Sequence, residues 1–356
     1  MGLTALVFLA GLGLLTAGAA LLVRGASRLA AAVGISPLVI GLTVVAYGTS
    51  TPELVVSVRA SLAGQAEIAL GNVVGSNIFN VLFILGIAAL IVPLVVAQQL
   101  VRLDVPIMIG VSLLLLVLAL DGTLTRLDGI LLLGGAAAYT VFVIRQSRGE
   151  TATIEAEYAR EYGEASKPGP SRILVQVASV VIGLGLLVLG ARLLVDSAVV
   201  LARALGLSEL VIGLTIVAAG TSLPEVVTSV VAAVRGERDI AVGNVVGSNI
   251  YNILAIAGLA SMVAPGGIPV ARAALGFDIP VMTAVAIACL PIFFSAHRIA
   301  RWEGALFLGY YGAYLLYLIL AALEHDALPL FSATMLAYVL PLTAVTLLVL
   351  YVRAAR

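Results

Sequence analysis

Apolar runs of roughly 18 or more residues recur along nearly the whole of this chain, and nothing else in it restricts the fold so strongly. A run of that length crosses about 30 Å of hydrocarbon as a helix. In lipid, only helices and closed barrels satisfy their own backbone hydrogen bonds. Barrel strands alternate in polarity with a period of two, whereas these runs are continuous, so an all-α membrane protein is expected. Composition agrees: of 356 residues, 62% are hydrophobic and 11% charged, against about a quarter charged in soluble domains. Zero net charge and the lack of a basic tract argue against nucleic acid as a partner. The single cysteine, Cys289, excludes a disulfide framework or a thiolate metal site within one chain. The start, Met1–Ala5, lacks a positive region and its apolar stretch is too long for a signal peptide, so it reads as a retained first helix.

The expected spans are 3–33, 36–62, 68–92, 103–121, 127–145, 172–205, 208–234, 239–264, 275–294, 302–322 and 330–352. The first and sixth are too long to stand upright: about 30 residues make roughly 45 Å of helix, which must tilt or emerge. Residues 146–171 form the one long polar segment, with five glutamates, two arginines and the run Lys167–Pro168–Gly169–Pro170. It reads as a solvated linker. The chain thus divides into an N-terminal half (1–145), the linker (146–171), a C-terminal half (172–322) and an additional C-terminal helix (330–352).

An internal repeat crosses the linker. Residues 41–86 align without a gap on 213–258, at an offset of 172, with 29 identities in 46 positions. Weaker echoes follow, Asp104–Pro106 with Asp278–Pro280 and Asp128–Gly129 with Glu303–Gly304. Five spans per half is an odd number, so the second copy enters the membrane from the opposite face. A 5+5 inverted repeat with a site at its interface is a recurrent transporter design. Fourteen Lys and Arg fall on one side of this topology and five on the other. The bias predicts an N-terminus outside and a cytoplasmic linker in a multi-pass cell (inner) membrane protein.

Four polar clusters interrupt apolar helices: Gly48–Glu53, Gly220–Glu225, Asn72–Asn80 and Asn244–Asn252. Glu53 and Glu225 lie deep in apolar sequence, where a charge costs at least ~2.5–3.5 kcal/mol unless compensated. A lone Pro-Glu is as readily a kink with a paired acid; two copies at one offset, each with a matching Asn/Ser helix, favour a site. Pro52 has no N–H for the carbonyl of Gly48, and Pro224 does the same to Gly220, so carbonyl oxygens are freed at depth. Thr49, Glu53 and Ser57 share one helical face, and Asn72, Ser76 and Asn80 repeat that spacing. Gly71 and Gly75 allow their helix a close approach, while Asn72 and Asn244 either brace or ligate. Carboxylate, amide, hydroxyl and carbonyl oxygens gather without histidine or cysteine, which suits a hard cation: Ca2+ takes six to eight oxygens at about 2.3–2.6 Å. Two glutamates match its charge, and Na+ can use the same oxygens.

At these clusters the chain resembles the Na+/Ca2+ exchanger branch of the Ca2+/cation antiporter superfamily, including its prokaryotic members. The GTS-x-PE and GN-x-x-GSN-x-x-N signatures are complete in both copies, and the resemblance covers about residues 1–325. It implies ion sites between the second, third, seventh and eighth helices, with the first and sixth sliding as a gate. By position it implies Glu53 and Glu225 as shared Ca2+/Na+ carboxylates, and Thr49 and Thr221 as Ca2+ ligands through backbone carbonyls. Ser50, Ser76, Ser222 and Ser248, with the carbonyls of Ala46 and Ala218, would serve flanking Na+ sites, and Asn80 and Asn252 a central polar pair. Some relatives carry aspartate where this chain has Asn252, which bears on coupling to K+ or H+. The expected function is secondary Na+/Ca2+ antiport, with an H+/Ca2+ or K+-dependent exchanger as the alternative. No cofactor or enzymatic activity is expected and no protein partner is inferable; the intramembrane-hydrolase signatures Tyr-Asp with Gly-x-Gly-Asp and His-x-x-Glu-His are missing.

Overall fold

Helices form where the apolar runs predict them. The computed structural model describes residues 2–162, 170–204, 218–294 and 297–354. Its long elements are α1 (Gly2–Val33), α2 (Pro37–Thr49 continued by Thr51–Leu62), α3 (Ala66–Ile91), α4 (Leu100–Asp121) and α5 (Arg126–Tyr162). In the second half they are α6 (Pro170–Ala204), α7 (described as Ala218–Gly220 and Leu223–Val234), α8 (Arg238–Val263), α9 (Ala274–Phe294) and α10 (Arg301–Ala322). A further helix, α11 (Leu328–Val349), follows. Among the described residues nine helices are long and apolar enough to cross a membrane, and α2, bent by 46°, makes a tenth. The first part of the expected span 208–234, and with it residues 213–217 of the second repeat, lies outside the described residues.

The linker departs from expectation. Helix α5 runs on past the end of its span at Gln146 to Tyr162, and α6 starts at Pro170. Between Gly149 and Tyr162 the chain carries four glutamates and three alanines, which are strong helix formers. Proline at the first helical position suits the start of α6, since its missing N–H is one the helix would leave unpaired anyway. Residues 163–169, which include Lys167 and Pro168, lie outside the described residues.

Packing is that of inverted copies, with partners exchanged between halves. A Cβ placed on Gly11 would sit 2.9 Å from the carbonyl of Gly190, and one on Gly18 would sit 2.8 Å from that of Gly183. Gly183 and Gly190 are the 172-residue mates of Gly11 and Gly18, so each glycine of α1 packs on the mate of the other. Gly86 against Gly304 and Gly129 against Gly258 repeat the exchange further along. Two antiparallel ribbons follow the same rule: β1 (Leu94–Val95) pairs β4 (Arg298–Ile299), and β2 (Thr123–Leu124) pairs β3 (Ile268–Pro269). The weak sequence echoes become equivalent bonds, Tyr139 donating to Asp104 at 3.1 Å and Tyr314 to Asp278 at 2.9 Å.

Burial separates the centre of the bundle from its rim. In α3 and α8, 72% and 89% of the span is buried, against 6% in α10 and α11, so the former pair forms the core that the outer helices shield from lipid. Helix α8 presses on α2 through Gly243 and Gly247, whose added Cβ atoms would meet Leu38 and Leu42 backbone at 3.0 and 2.5 Å. The mates of those leucines, Leu210 and Leu214, lie outside the described residues, so the close approach expected of Gly71 and Gly75 is not described.

Candidate functional site

Both broken helices fail at the same place. Ser50 (φ −80°, ψ 10°) and Ser222 (φ −89°, ψ 8°) leave helical geometry, and the following segments restart with Pro52 and Pro224 in their first turns. Proline is tolerated there because a first-turn N–H has no intrahelical partner. The break turns Glu53 and Glu225 inward, where each is buried to 1% exposure.

The two carboxylates are held crosswise. Ser222 donates its hydroxyl to Glu53 Oε1 at 2.7 Å, and Ser50 donates to Glu225 Oε1 at 2.8 Å. Ser222 also lies 3.3 Å from the Ser76 hydroxyl. Each helix break is braced by an asparagine of the neighbouring helix. Asn72 Nδ2 donates to the Glu53 carbonyl (3.1 Å) and Ser57 Oγ (2.9 Å), and Asn244 Nδ2 to the Glu225 carbonyl (3.5 Å) and Ser229 Oγ (3.0 Å). Both asparagines thus brace through their amide nitrogens. The Asn244 amide oxygen also accepts from Thr49 Oγ1 at 3.1 Å.

Four asparagines form a plate between α3 and α8. The side-chain amides of Asn77 and Asn249 donate to each other's backbone carbonyls at 3.2 and 3.3 Å. Asn80 Nδ2 donates to Asn249 Oδ1, and Asn252 Nδ2 to Asn77 Oδ1, both at 3.0 Å. Met282 and Met108 cap the plate, each sulfur 3.6 Å from an amide nitrogen of Asn77 or Asn249. A π-helical turn begins at each outer asparagine, Asn80–Leu85 and Asn252–Ala257; such wide turns concentrate at functional sites.

Ten buried side-chain polar atoms lack a hydrogen-bond partner among the described residues, and six belong to expected site residues: Glu53 Oε2, Glu225 Oε2, Asn80 Oδ1, Asn252 Oδ1, Thr221 Oγ1 and Ser248 Oγ. Leaving one such group unmade costs about 1–3 kcal/mol, and more for a charge. The plate and the serine cross-links thus hold the amide nitrogens and one oxygen of each carboxylate, and leave oxygens free. No cluster of three or more His, Cys, Asp or Glu side chains occurs among the described residues, so what this centre offers is two carboxylates plus neutral oxygens. Of the other expected ligands, the Ala46 carbonyl already accepts from the Ser50 N–H at 3.0 Å and Thr49 Oγ1 at 3.4 Å. Ala218 opens the described part of α7, and its surroundings lie outside the described residues. Sequence reasoning overlooked Asn77, Asn249, Met108 and Met282; the three-residue spacing in GSN-x-x-N was the available signal for the first two.

Broken helices from two inverted halves, meeting at a buried all-oxygen centre, define a secondary cation transporter. The family described as sodium/calcium exchanger protein matches residues 3–145 and 175–320, and the chain belongs to it. It is 42% identical over 316 residues to a putative antiporter, CaxA, of Alkalimonas amylolytica, covering 86% of this chain and 98% of that one. It is 34% identical over 343 residues to the sodium/calcium exchanger MaX1 of Methanosarcina acetivorans, covering 88% and 97%. Among solved structures it is similar to the sodium-calcium exchanger NCX_Mj, with a TM-score of 0.75 and 32% identity over 90% of this chain and 99% of that one.

Proposed function

We propose that the chain exchanges Ca2+ for Na+ by alternating access, both ions competing for Glu53 and Glu225. The observation that carries this is the crosswise pair: each carboxylate has one oxygen held by a serine of the other half and one oxygen without a partner. Two charges and the amide oxygens of Asn80 and Asn252 suit Ca2+, with backbone carbonyls of Thr49 and Thr221 completing its shell. Na+ ions, when they replace it, use Ser50, Ser76, Ser222 and Ser248 with the carbonyls of Ala46 and Ala218. A bare pair of buried carboxylates is too costly to carry across lipid, so the empty carrier stays put and ion movements are coupled. We place the N-terminus outside and the linker in the cytoplasm of a cell membrane, on the fourteen-to-five bias of basic residues.

The test is Ca2+ uptake into inverted vesicles under an imposed Na+ gradient or an imposed H+ gradient, each with and without K+. Uptake driven by Na+ alone is expected. Uptake that follows H+, or that requires K+, would replace this reading with the H+/Ca2+ or K+-dependent exchanger. Asparagine at position 252 rather than an acid favours the Na+ reading, because the centre then carries no third ionisable group.

A further inference from the structure

The carboxylate, brace and plate contacts of the polar centre obey the pseudo-two-fold; a pair of contacts made by the turn between α7 and α8 does not. Helices α1 and α6 are joined along the glycine seam of Gly11, Gly18, Gly183 and Gly190, where backbones touch, so they form one body lying against the bundle. Among the described residues, two side-chain hydrogen bonds tie α1 to the rest of the bundle. Ser27 Oγ donates to Glu237 Oε1 at 2.8 Å, and Arg235 Nη1 donates to the carbonyl of Ala20 at 2.9 Å. Both partners come from the turn between α7 and α8.

The inverted repeat supplies an internal control for these bonds. By the 172-residue offset, Ser27 corresponds to Val199, Ala20 to Arg192, Arg235 to Ala63 and Glu237 to Gln65. Valine has no hydroxyl to donate and alanine no guanidinium, so the turn between α2 and α3 cannot make the equivalent ties to α6. Among the described residues this pair of ties therefore occurs on one face, the face where Ile240 of α8 meets Gly41 of α2. A second break in symmetry lies beside the site. Tyr47 stacks on Tyr251 with ring centroids 4.2 Å apart and hydrogen-bonds Thr140, while its mate is Ala219.

A perfectly two-fold transporter would be equally stable open to either side, so a bias between the two states must come from residues the symmetry does not match. We infer that Arg235 and Glu237 latch the α1–α6 body and hold the site shut toward the face of the α7–α8 turn, setting which side the carrier faces at rest. This rests on the exchange reading and on the orientation proposed above, which makes the latched face cytoplasmic.

The experiment uses the full chain in liposomes, carrying Cys289→Ala and a reporter cysteine at Thr43→Cys, a buried position of α2 one turn before Ala46. A membrane-impermeant thiol reagent is applied from each side in turn. Adding Arg235→Ala with Glu237→Ala is expected to speed labelling from the latched face about tenfold, the effect of two modest hydrogen bonds on a two-state equilibrium. A second set, Ala63→Arg, Gln65→Glu and Val199→Ser, builds the latch on the other face and is expected to shift the half-saturating Ca2+ ratio of the two faces in the opposite direction. Labelling within twofold of the parent in the first set, or an unmoved ratio in the second, overturns the latch. The labelling arm needs no transport, so a chain that failed to exchange Ca2+ for Na+ would overturn the exchange reading while that arm still decides the latch.

Discussion

At the centre of the molecule the carboxylate, brace and plate contacts of the two halves match, with only the hydroxyls of Thr49 and Ser76 partnered where those of Thr221 and Ser248 are not, whereas the turns that end α2 and α7 differ outright. Glu53 and Glu225, Ser50 and Ser222, Asn72 and Asn244, and the four plate asparagines make the same bonds twice. The turn after α7 grips α1 through Arg235 and Glu237, and the turn after α2 has Ala63 and Gln65 in their places. In an inverted repeat, matching residues swap sides of the membrane, so a symmetric centre presents an ion arriving from either face with the same ligands. On the exchange reading and the latch proposed above, selectivity belongs to the matched region and sidedness to the unmatched one.

The strongest way to break this comparison is to remove one carboxylate at a time. Glu53→Gln and Glu225→Gln are each expected to cut gradient-driven uptake of radiolabelled Ca2+ by about two orders of magnitude or more, because ligand charge sets Ca2+ affinity. The losses should be similar, since each acid has the same serine contact and the same free oxygen. Near-normal uptake in either variant, with the protein present in the membrane, would remove the acids from the site. Next in size comes the plate. Asn77→Ala takes the acceptor from Asn252, and Asn249→Ala takes it from Asn80. Each leaves a buried amide donor unmade at about 1–3 kcal/mol, so apparent Ca2+ affinity should fall about tenfold in both. A variant that lost affinity at one position only would show that the plate is not used symmetrically.

Most of this centre was legible in the sequence, for a physical reason. Glu53 and Glu225 are conspicuous because ionisable residues are expensive in apolar helices, and the repeat places each beside Pro and Ser at the same spacing. Asn77 and Asn249 were passed over because the four-residue spacing of Asn72, Ser76 and Asn80 draws attention to one face, while Asn77 shares only its three-residue spacing with Asn80. The antiparallel meeting of α3 and α8 brings those amides together across the pseudo-two-fold. Met108 and Met282 gave no signal at all, being apolar residues in apolar helices. The helical run of α5 into the linker reflects helix propensity, which polarity alone does not report.

Asn252→Asp is expected to sharpen the comparison by breaking it chemically. A third carboxylate would enter beside Asn77, with no mate at Asn80, so the centre would no longer look alike from the two faces. Ca2+ exchange should become sensitive to pH or K+ by several-fold, since an added buried acid must bind a proton or a cation to remain in the membrane. Transport assayed across a pH series, with and without K+, reads this directly; a profile identical to the parent's would detach position 252 from coupling.

The mildest test concerns the methionines, and its small size is informative. Met108 and Met282 each place a sulfur 3.6 Å from an amide nitrogen that already donates to a backbone carbonyl. Each amide therefore keeps its main partner when the sulfur is removed. Leucine conserves the volume, and such swaps cost less than about 1.5 kcal/mol. Met108→Leu and Met282→Leu are thus expected to leave Ca2+ exchange within about threefold of the parent, and to do so equally. A large loss at one methionine alone would mean that α4 and α9 press on the plate with different force. The symmetry of the centre would then end at the amides, and the bias between faces would begin closer to the ion than the turn after α7.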